Sequence, residues 1–230
     1  MNKKQKFLIL DTETANSVEN PLVYDIGFAV ADNMGTIYET QSFLVRDIFE
    51  LEKDLMETAY YAEKIPLYLK KLQKQEIQLA DLQLIQWIIK QTIEKYNIKA
   101  VCAYNASFDL NALNNTIRYI TKSKKRYFFP YGTEINCIWH MACQVLYTQK
   151  RFYNFVLENG FLSPKGNIIT SAEVGFRYLQ KDIDFQEEHT GLADVLIETA
   201  IMAKCYAQHK HMKKNINRGC YWIPNKLHKG

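Results

Sequence analysis

Hydrophobic residues in this chain come first in short continuous runs and afterwards at helical spacing. FLIL, Phe7 to Leu10, is a continuous apolar run, as a central strand buried on both faces requires. VYDIGFAVAD (Val23 to Asp32) alternates apolar residues with small or polar ones, and TIYETQSFLV (Thr36 to Val45) is a second β-rich run. Asn33, Met34 and Gly35 form the short turn between them, which predicts an antiparallel hairpin and, with FLIL, a three-strand meander. From 47 to 74 the composition turns helical, with Pro66 as an interruption. Between 80 and 95 apolar residues recur at Leu82, Ile85, Ile88 or Ile89, and Ile93, the spacing of one helix face.

KAVCAY (Lys99 to Tyr104) predicts a short strand, and Leu110, Leu113, Ile117 and Ile120 place a helix over Ser107 to Ile120. A helix from about Ile138 to Thr148 follows. Gly160, Pro164 and Gly166 then mark a loop. TSAE predicts a capping box with Thr170 as N-cap and Glu173 three residues on, starting a helix that reaches about Leu179. The last helix is expected from near Thr190 to Ala207. Repeats, low-complexity linkers and composition breaks are absent from the sequence. The expectation is one α/β domain over residues 1–207 and a basic C-terminal tail over 208–230.

A chain of 230 residues with 47% hydrophobic and 23% charged positions suits a soluble globular protein with one sizeable core. The net charge of +4 is small, but its distribution is uneven. Lys210 to Gly230 carries six Lys or Arg and no acid, and KSKKR spans Lys122 to Arg126. Such segments attract polyanions, although solvated loops and loose tails have the same composition. The five cysteines include no CxxC pair, which predicts reduced, buried thiols rather than a disulfide framework or a zinc site. No apolar run reaches the ~20 residues of a membrane span, and the N-terminus lacks the long apolar stretch of a signal peptide, so a cytoplasmic protein is expected.

The candidate chemistry lies in acids at the ends of apolar elements. Asp11 and Glu13 directly follow FLIL and, at i and i+2 of an extended strand, share a face. Two such carboxylates suit a hard cation such as Mg²⁺ or Mn²⁺. Asp109 falls in the first turn of a helix after an apolar strand. There it either complements the helix dipole or stands at the sheet edge where α/β folds place their sites. Asn105 is placed to orient that turn or a ligand, and Phe108 is either core or a platform for a base. His189 precedes the last helix and Asp194 lies about one turn inside it. A histidine near its usual pKa can accept a proton from an attacking water, and four such acids suit two-cation phosphodiester chemistry. Tyr60, Tyr61 and Tyr68 are read as core or half-exposed in preference to the lining of a nucleotide groove, His140 as structural, and His209, His211 and His228 lack ligand spacing.

In order, Asp11-x-Glu13, the NxxFD of Asn105 to Asp109 and the HxxxxD of His189 to Asp194 resemble the motifs of the DEDDh (DnaQ-like) 3′–5′ exonucleases, over roughly residues 6–206. The region LSPKGNIITSAEVGFRYL resembles segments of RNase T-like relatives. The resemblance implies an RNase H-like three-layer fold, with a mixed five-stranded sheet, an antiparallel second strand and flanking helices. It implies that Asp11, Glu13 and Asp194 ligate one Mg²⁺ or Mn²⁺, that Asp11 and Asp109 serve a second, and that His189 is the general base. Thr12 and Phe108 would lie near the terminal nucleotide, with Asn105 beside them. The implied reaction releases nucleoside 5′-monophosphates from the 3′ end of single-stranded DNA or RNA. The chain departs from the family where Thr14-Ala15-Asn16 replaces a Thr-Gly pair, where Ser17 replaces an apolar wedge, at Tyr104 in place of a frequent His, and at Asn136 in place of an Asp.

A different class of reading is a nucleic-acid-binding or partner-docking module on the same scaffold, motivated by the basic tail and the altered TAN segment. All four acids and the histidine speak against it, since acids without cations repel phosphate. Docking of the tail onto a polymerase or repair complex is compatible with the enzyme reading. The sequence leaves DNA against RNA open, and also oligomeric state, a dimer being one option.

Overall fold

A computed structural model describes residues 4–227. The chain is one mixed sheet with helices on both faces. The strands are β1 (Lys6–Ala15), β2 (Leu22–Asp32), β3 (Ile37–Val45), β4 (Gln78–Ala80), β5 (Ala100–Ala103) and β6 (Glu134–Cys137). Their spatial order is β4-β3-β2-β1-β5-β6. β1 pairs antiparallel with β2, and β2 with β3, while β1–β5, β5–β6 and β3–β4 are parallel. The meander and the antiparallel second strand therefore stand. The sheet has six strands rather than the expected five, because the three residues of β4 add to the edge of β3. QLA is too short to show a period, which is why the sequence reading passes over it.

The helices are α1 (Arg46–Phe49), α2 (Lys53–Met56), α3 (Ile65–Gln73), α4 (Leu82–Tyr96), α5 (Ala106–Thr121), α6 (Ile138–Val145), α7 (Lys150–Glu158), α8 (Ala172–Gln180), α9 (Gly191–Tyr206) and α10 (Ile223–Leu227). A 3-10 turn over Ala62–Lys64 leads into α3. Pro66 sits in the first turn of α3, where its missing N–H costs nothing. It starts that helix rather than interrupting a longer one. The α8 cap is shifted from expectation by one residue: Ser171 is the N-cap and its Oγ accepts from the Val174 N–H at 3.3 Å. Thr170 instead accepts a hydrogen bond from the Trp139 indole, and Glu173 pairs with Arg177 along the helix. The α7 helix was not anticipated.

FLIL shows why the sheet is central. Leu8 and Leu10 belong to the core on one face, with Ile85, Ile89, Leu113 and Ile117 of α4 and α5. Phe7 and Ile9 belong to the core on the other face, with residues of α6, α8 and α9. All four are essentially inaccessible. Alternation then carries past the apolar run: Asp11 and Glu13 continue the row of Phe7 and Ile9, on the α9 side, while Thr12 continues that of Leu8 and Leu10. The β2–β3 turn is tied by Asp32, whose Oδ1 accepts from the N–H groups of Met34 and Thr36, with Gly35 at φ 86°.

The basic segment after α9, expected as a loose tail, packs against α6 as far as it is described. Cys137 donates its N–H to the Lys214 carbonyl at 2.8 Å, and Asn215 bridges antiparallel to Asn136 on the open edge of β6. Asn217 donates its N–H to Nδ1 of buried His140, Tyr221 stacks on Trp139, and Cys220 is buried. His140 thus has the structural role expected of it. Residues 228–230, with His228, lie outside the described part, as do residues 1–3. All five cysteines are free and buried. Among the described residues no helix is long and apolar enough to cross a membrane.

The N-terminus of α9 is set by two glycines. A Cβ on Gly27 of β2 would stand 2.1 Å from the Gly191 carbonyl carbon and 2.1 Å from the Leu192 nitrogen, and one on Gly191 would stand 2.5 Å from the Gly27 nitrogen. Gly27 is also the β2 partner of Asp11. Backbone meets backbone beside the first acid, with no room for side chains between. Gly27→Ala is therefore expected to lower the free energy of unfolding by about 3 kcal/mol, through overpacking against main chain that has no rotamer to yield. Urea titration of wild type and variant measures it, and a difference under about 0.5 kcal/mol would show the contact to be soft.

Candidate active site

Four elements converge at the edge of the sheet where β1 and β5 end. β1 supplies Asp11 and Glu13, α5 supplies Asp109, and α9 with the loop before it supplies His189 and Asp194. The parallel register of β1 and β5 sends both strands to the same edge, so that α5 starts beside the end of β1. Asn105 makes the reversal between β5 and α5 in the left-handed region, at φ 59°, which asparagine tolerates better than most residues. Its Oδ1 accepts from the Ser107 hydroxyl at 3.3 Å, and Phe108 is half-buried. Thr12 is buried, and its hydroxyl donates to Asp109 Oδ1 at 2.9 Å, tying α5 to β1 across the site. After β1, Asn16 takes φ 71° and its side chain donates to the Asn20 carbonyl, so the TAN segment forms a hydrogen-bonded turn.

Ligand atoms of Glu13, His189 and Asp194 lie within 4.8 Å of one another, and among the described residues this group does not extend to Asp11 or Asp109. His189 Nδ1 stands 3.7 Å from Glu187 Oε2 and 3.9 Å from Asp194 Oδ2. Its ring stacks on Tyr61 with centroids 4.5 Å apart and planes 14° from parallel, and its backbone holds φ 50°. Around it the loop is anchored on both sides. Lys64 donates to the Glu188 carbonyl and Lys71 pairs with the Glu188 carboxylate. On the other side Gly191 donates its N–H to Asp25 Oδ2 at 2.9 Å, and Tyr68 donates its hydroxyl to the same oxygen at 2.8 Å. Asp25 therefore satisfies one of the free N–H groups at the start of α9 from a neighbouring strand.

The electrostatics of the cluster are one-sided. Asp11 is pushed well above the usual carboxylate range by burial and then by Glu198, Asp109, Glu13 and Asp194. Glu13 rises to about 9 through burial and the charges of Asp194 and Asp25, against an opposing pull from Lys64. Burial lifts Asp109 to about 7, opposed by the Thr12 hydrogen bond, and lifts Asp194 to about 7, opposed by Lys64. Glu187, beside them, reaches about 8. His189 moves the other way, below its ordinary value, through burial and the nearby Lys64. Asp194 Oδ1, Asp25 Oδ1, Glu187 Oε1 and Glu198 Oε2 are buried without a hydrogen-bond partner. Buried acids crowded this way favour a proton or a cation over the bare charge. Carboxylate oxygens are what Mg²⁺ and Mn²⁺ prefer, so the acids present fit divalent cations, with the His189 imidazole within 4.8 Å of two of them.

The structure thus brings Asp11, Glu13, Asp109, His189 and Asp194 to one edge, with Thr12, Asn105 and Phe108 beside them. It adds residues that the sequence reading missed or read as structural: Asp25, Glu187, Glu198, Lys64, Tyr61 and Tyr68. A signal existed for Glu198, which stands four residues after Asp194 and so on the same helix face. Tyr61 and Tyr68 come from a segment distant in sequence and had only the weaker alternative of a nucleotide groove, and Lys64 had no signal. A surface groove of about 450 Å³, lined by Trp87, Tyr127 and Phe129, lies away from these acids.

No protein-family model matches the chain, and no curated protein sequence does. Among solved structures, E. coli exonuclease I in complex with a 5cy-dT13 oligonucleotide is similar, with a TM-score of 0.53 at 15% identity over 90% of this chain and 41% of that one. A product-bound structure of exonuclease I superposes with a TM-score of 0.50 at 14% identity, over 88% of this chain and 43% of that one. The chain spans about two fifths of the length of these neighbours. At such identity the likeness shows the fold, which is the RNase H-like one expected from the motifs.

The raised carboxylate pKa values have a consequence for stability with a definite sign. Folded-state values above those of the unfolded chain mean that the folded protein binds more protons, so stability falls as pH rises. The contribution is complete below the unfolded carboxylate pKa near ~4 and is lost as pH climbs through about 7 for Asp109 and Asp194 to about 9 for Glu13. In EDTA the melting temperature should be lower at pH 9 than at pH 6, and millimolar Mn²⁺ should flatten that slope. A melting temperature that rises with pH in EDTA would contradict the reading.

Proposed function

We propose that the chain is a metal-dependent 3′–5′ exonuclease that removes nucleotides from the 3′ ends of single-stranded nucleic acid. The observation that carries the reading is the convergence of Asp11, Glu13, Asp109 and Asp194 with His189 at one sheet edge. The fold shared with exonuclease I supports it.

Asp11, Glu13 and Asp194 would hold one Mg²⁺ or Mn²⁺, and Asp11 with Asp109 a second. When bound, the ions supply positive charge against the phosphodiester and its leaving oxygen. The rest of the task falls to the side chains. Thr12 holds Asp109 in a fixed orientation through its hydroxyl. Lys64, near Glu13 and Asp194, adds a positive charge beside the acids where a phosphate would approach. His189, its pKa depressed, is neutral at pH 7 and ready to take a proton from the attacking water. Tyr61 beneath the ring and the anchored residues on either side limit where the imidazole can go. Phe108, half-buried at the start of α5, would pack against the terminal nucleotide, with Asn105 at the turn before it.

The protein is expected to shorten a 5′-labelled oligonucleotide stepwise in Mg²⁺ or Mn²⁺, and to spare one whose 3′ end is blocked. Asp11→Ala should abolish the activity, and digestion that persists in that variant would sink the assignment. His189→Ala should lower kcat by ~10²–10⁴-fold while leaving cation binding unchanged. Loss of cation affinity in that variant would instead make His189 a ligand. Matched DNA and RNA substrates read the sugar preference in the same time course. Binding in EDTA without hydrolysis when metal is supplied would favour the binding-module reading.

A further inference from the structure

Glu198 is 2% exposed, in the middle of α9, where its buried neighbours Val195, Ile197, Ile201 and Met202 are apolar. It lies one helical turn beyond Asp194 on the same face. Its Oε2 has no hydrogen-bond partner, and the Tyr104 N–H is its one backbone donor. The charges that act on it most are Asp109, Asp194 and Glu187, all negative, and of the charges around Asp11 it is the one felt most strongly. A side chain that served packing alone would be apolar here, because a buried carboxylate without a positive partner is costly. Like Asp11 and Asp109, Glu198 stands outside the group of Glu13, His189 and Asp194 whose ligand atoms fall within 4.8 Å of one another, and its free oxygen is buried one turn of α9 beyond Asp194.

We infer that Glu198 is a fifth carboxylate of the cation site, a ligand from its buried side beside Asp11 and Asp109. The inference rests on the function proposed above only for the presence of cations. Asp11, Glu13, Asp109 and Asp194 carry four negative charges when ionised, equal to the charge on two divalent cations. Glu198 makes the site more negative than its cations, and so strengthens their retention. Glu198 belongs to α9, so its contact with a cation ties the last helix to the strand that carries Asp11.

The test is a titration of EDTA-stripped protein with Mn²⁺ by calorimetry, without nucleic acid, alongside melting curves in EDTA. Glu198→Gln, nearly the same shape, should weaken Mn²⁺ binding by about 10–100-fold and raise the melting temperature of the metal-free protein. Glu198→Leu should do the same and guards against a variant that misfolds. Glu94→Gln, on the exposed side of α4, should change neither value and controls for net charge. A merely structural Glu198 would lower the metal-free melting temperature when replaced. Unchanged Mn²⁺ affinity in both Glu198 variants overturns the inference even if the wild type digests oligonucleotides. If the wild type binds Mn²⁺, the variants bind it weakly and no substrate is cut, the nuclease reading falls and this one stands. A wild type that binds no Mn²⁺ overturns both.

Discussion

Everything at the candidate active site depends on two backbones meeting without side chains between them. Gly27 and Gly191 let α9 approach β2 closely enough for Asp194 to come within 4.8 Å of Glu13. The same approach lets Asp25 receive the first N–H of α9, so the helix start is both packed and hydrogen-bonded from the sheet. With that contact in place, the left-handed turn at His189 and the stack on Tyr61 have something rigid to build on. A strained backbone holds only where its surroundings over-determine it.

The charge pattern is the second organising fact. A protein spends stability to keep several carboxylates buried together, and Lys64 offsets only part of their repulsion. The folded state is therefore one that gains from any species able to neutralise the cluster. Protons do so at low pH, which couples folding to proton uptake through the same residues. The Thr12 hydroxyl shows the companion strategy, in which a neutral donor fixes an acid without cancelling its charge.

Much of this was legible in the residues themselves. Continuous burial of FLIL and the Asn33-Met34-Gly35 turn are local statements, and both are realised in the sheet, whereas the alternation read in β2 is not, since all eleven residues of that strand are buried. The helices α4, α5 and α9 follow from apolar spacing that no neighbour overrides. Three motifs in order pointed to one edge because Asp11 and Glu13 follow an apolar strand while Asp109 and Asp194 stand in the first turns of helices. The remainder depended on partners far away in sequence. β4 exists because β3 offers it an edge, and the cap of α8 shifted to Ser171 because Trp139 engages Thr170. Tyr68 was read as a core residue, and it is buried, but its hydroxyl serves Asp25 across 43 positions. Glu198 was hidden differently: in an apolar stripe one acid looks like a solvated exception until the helix is seen to be enclosed.

The pairing of Asn215 with Asn136 bears on how the molecule meets copies of itself. A sheet ends in two open margins, each able to recruit a foreign strand. At one margin the chain's own basic segment lies over β6 and takes up main-chain groups that a stranger would use. At the other, β4 offers three residues, too few to nucleate a ladder. Lysines on the covering segment add repulsion between like surfaces. Among the described residues, both margins of the sheet are thus guarded against edge-to-edge fibre growth.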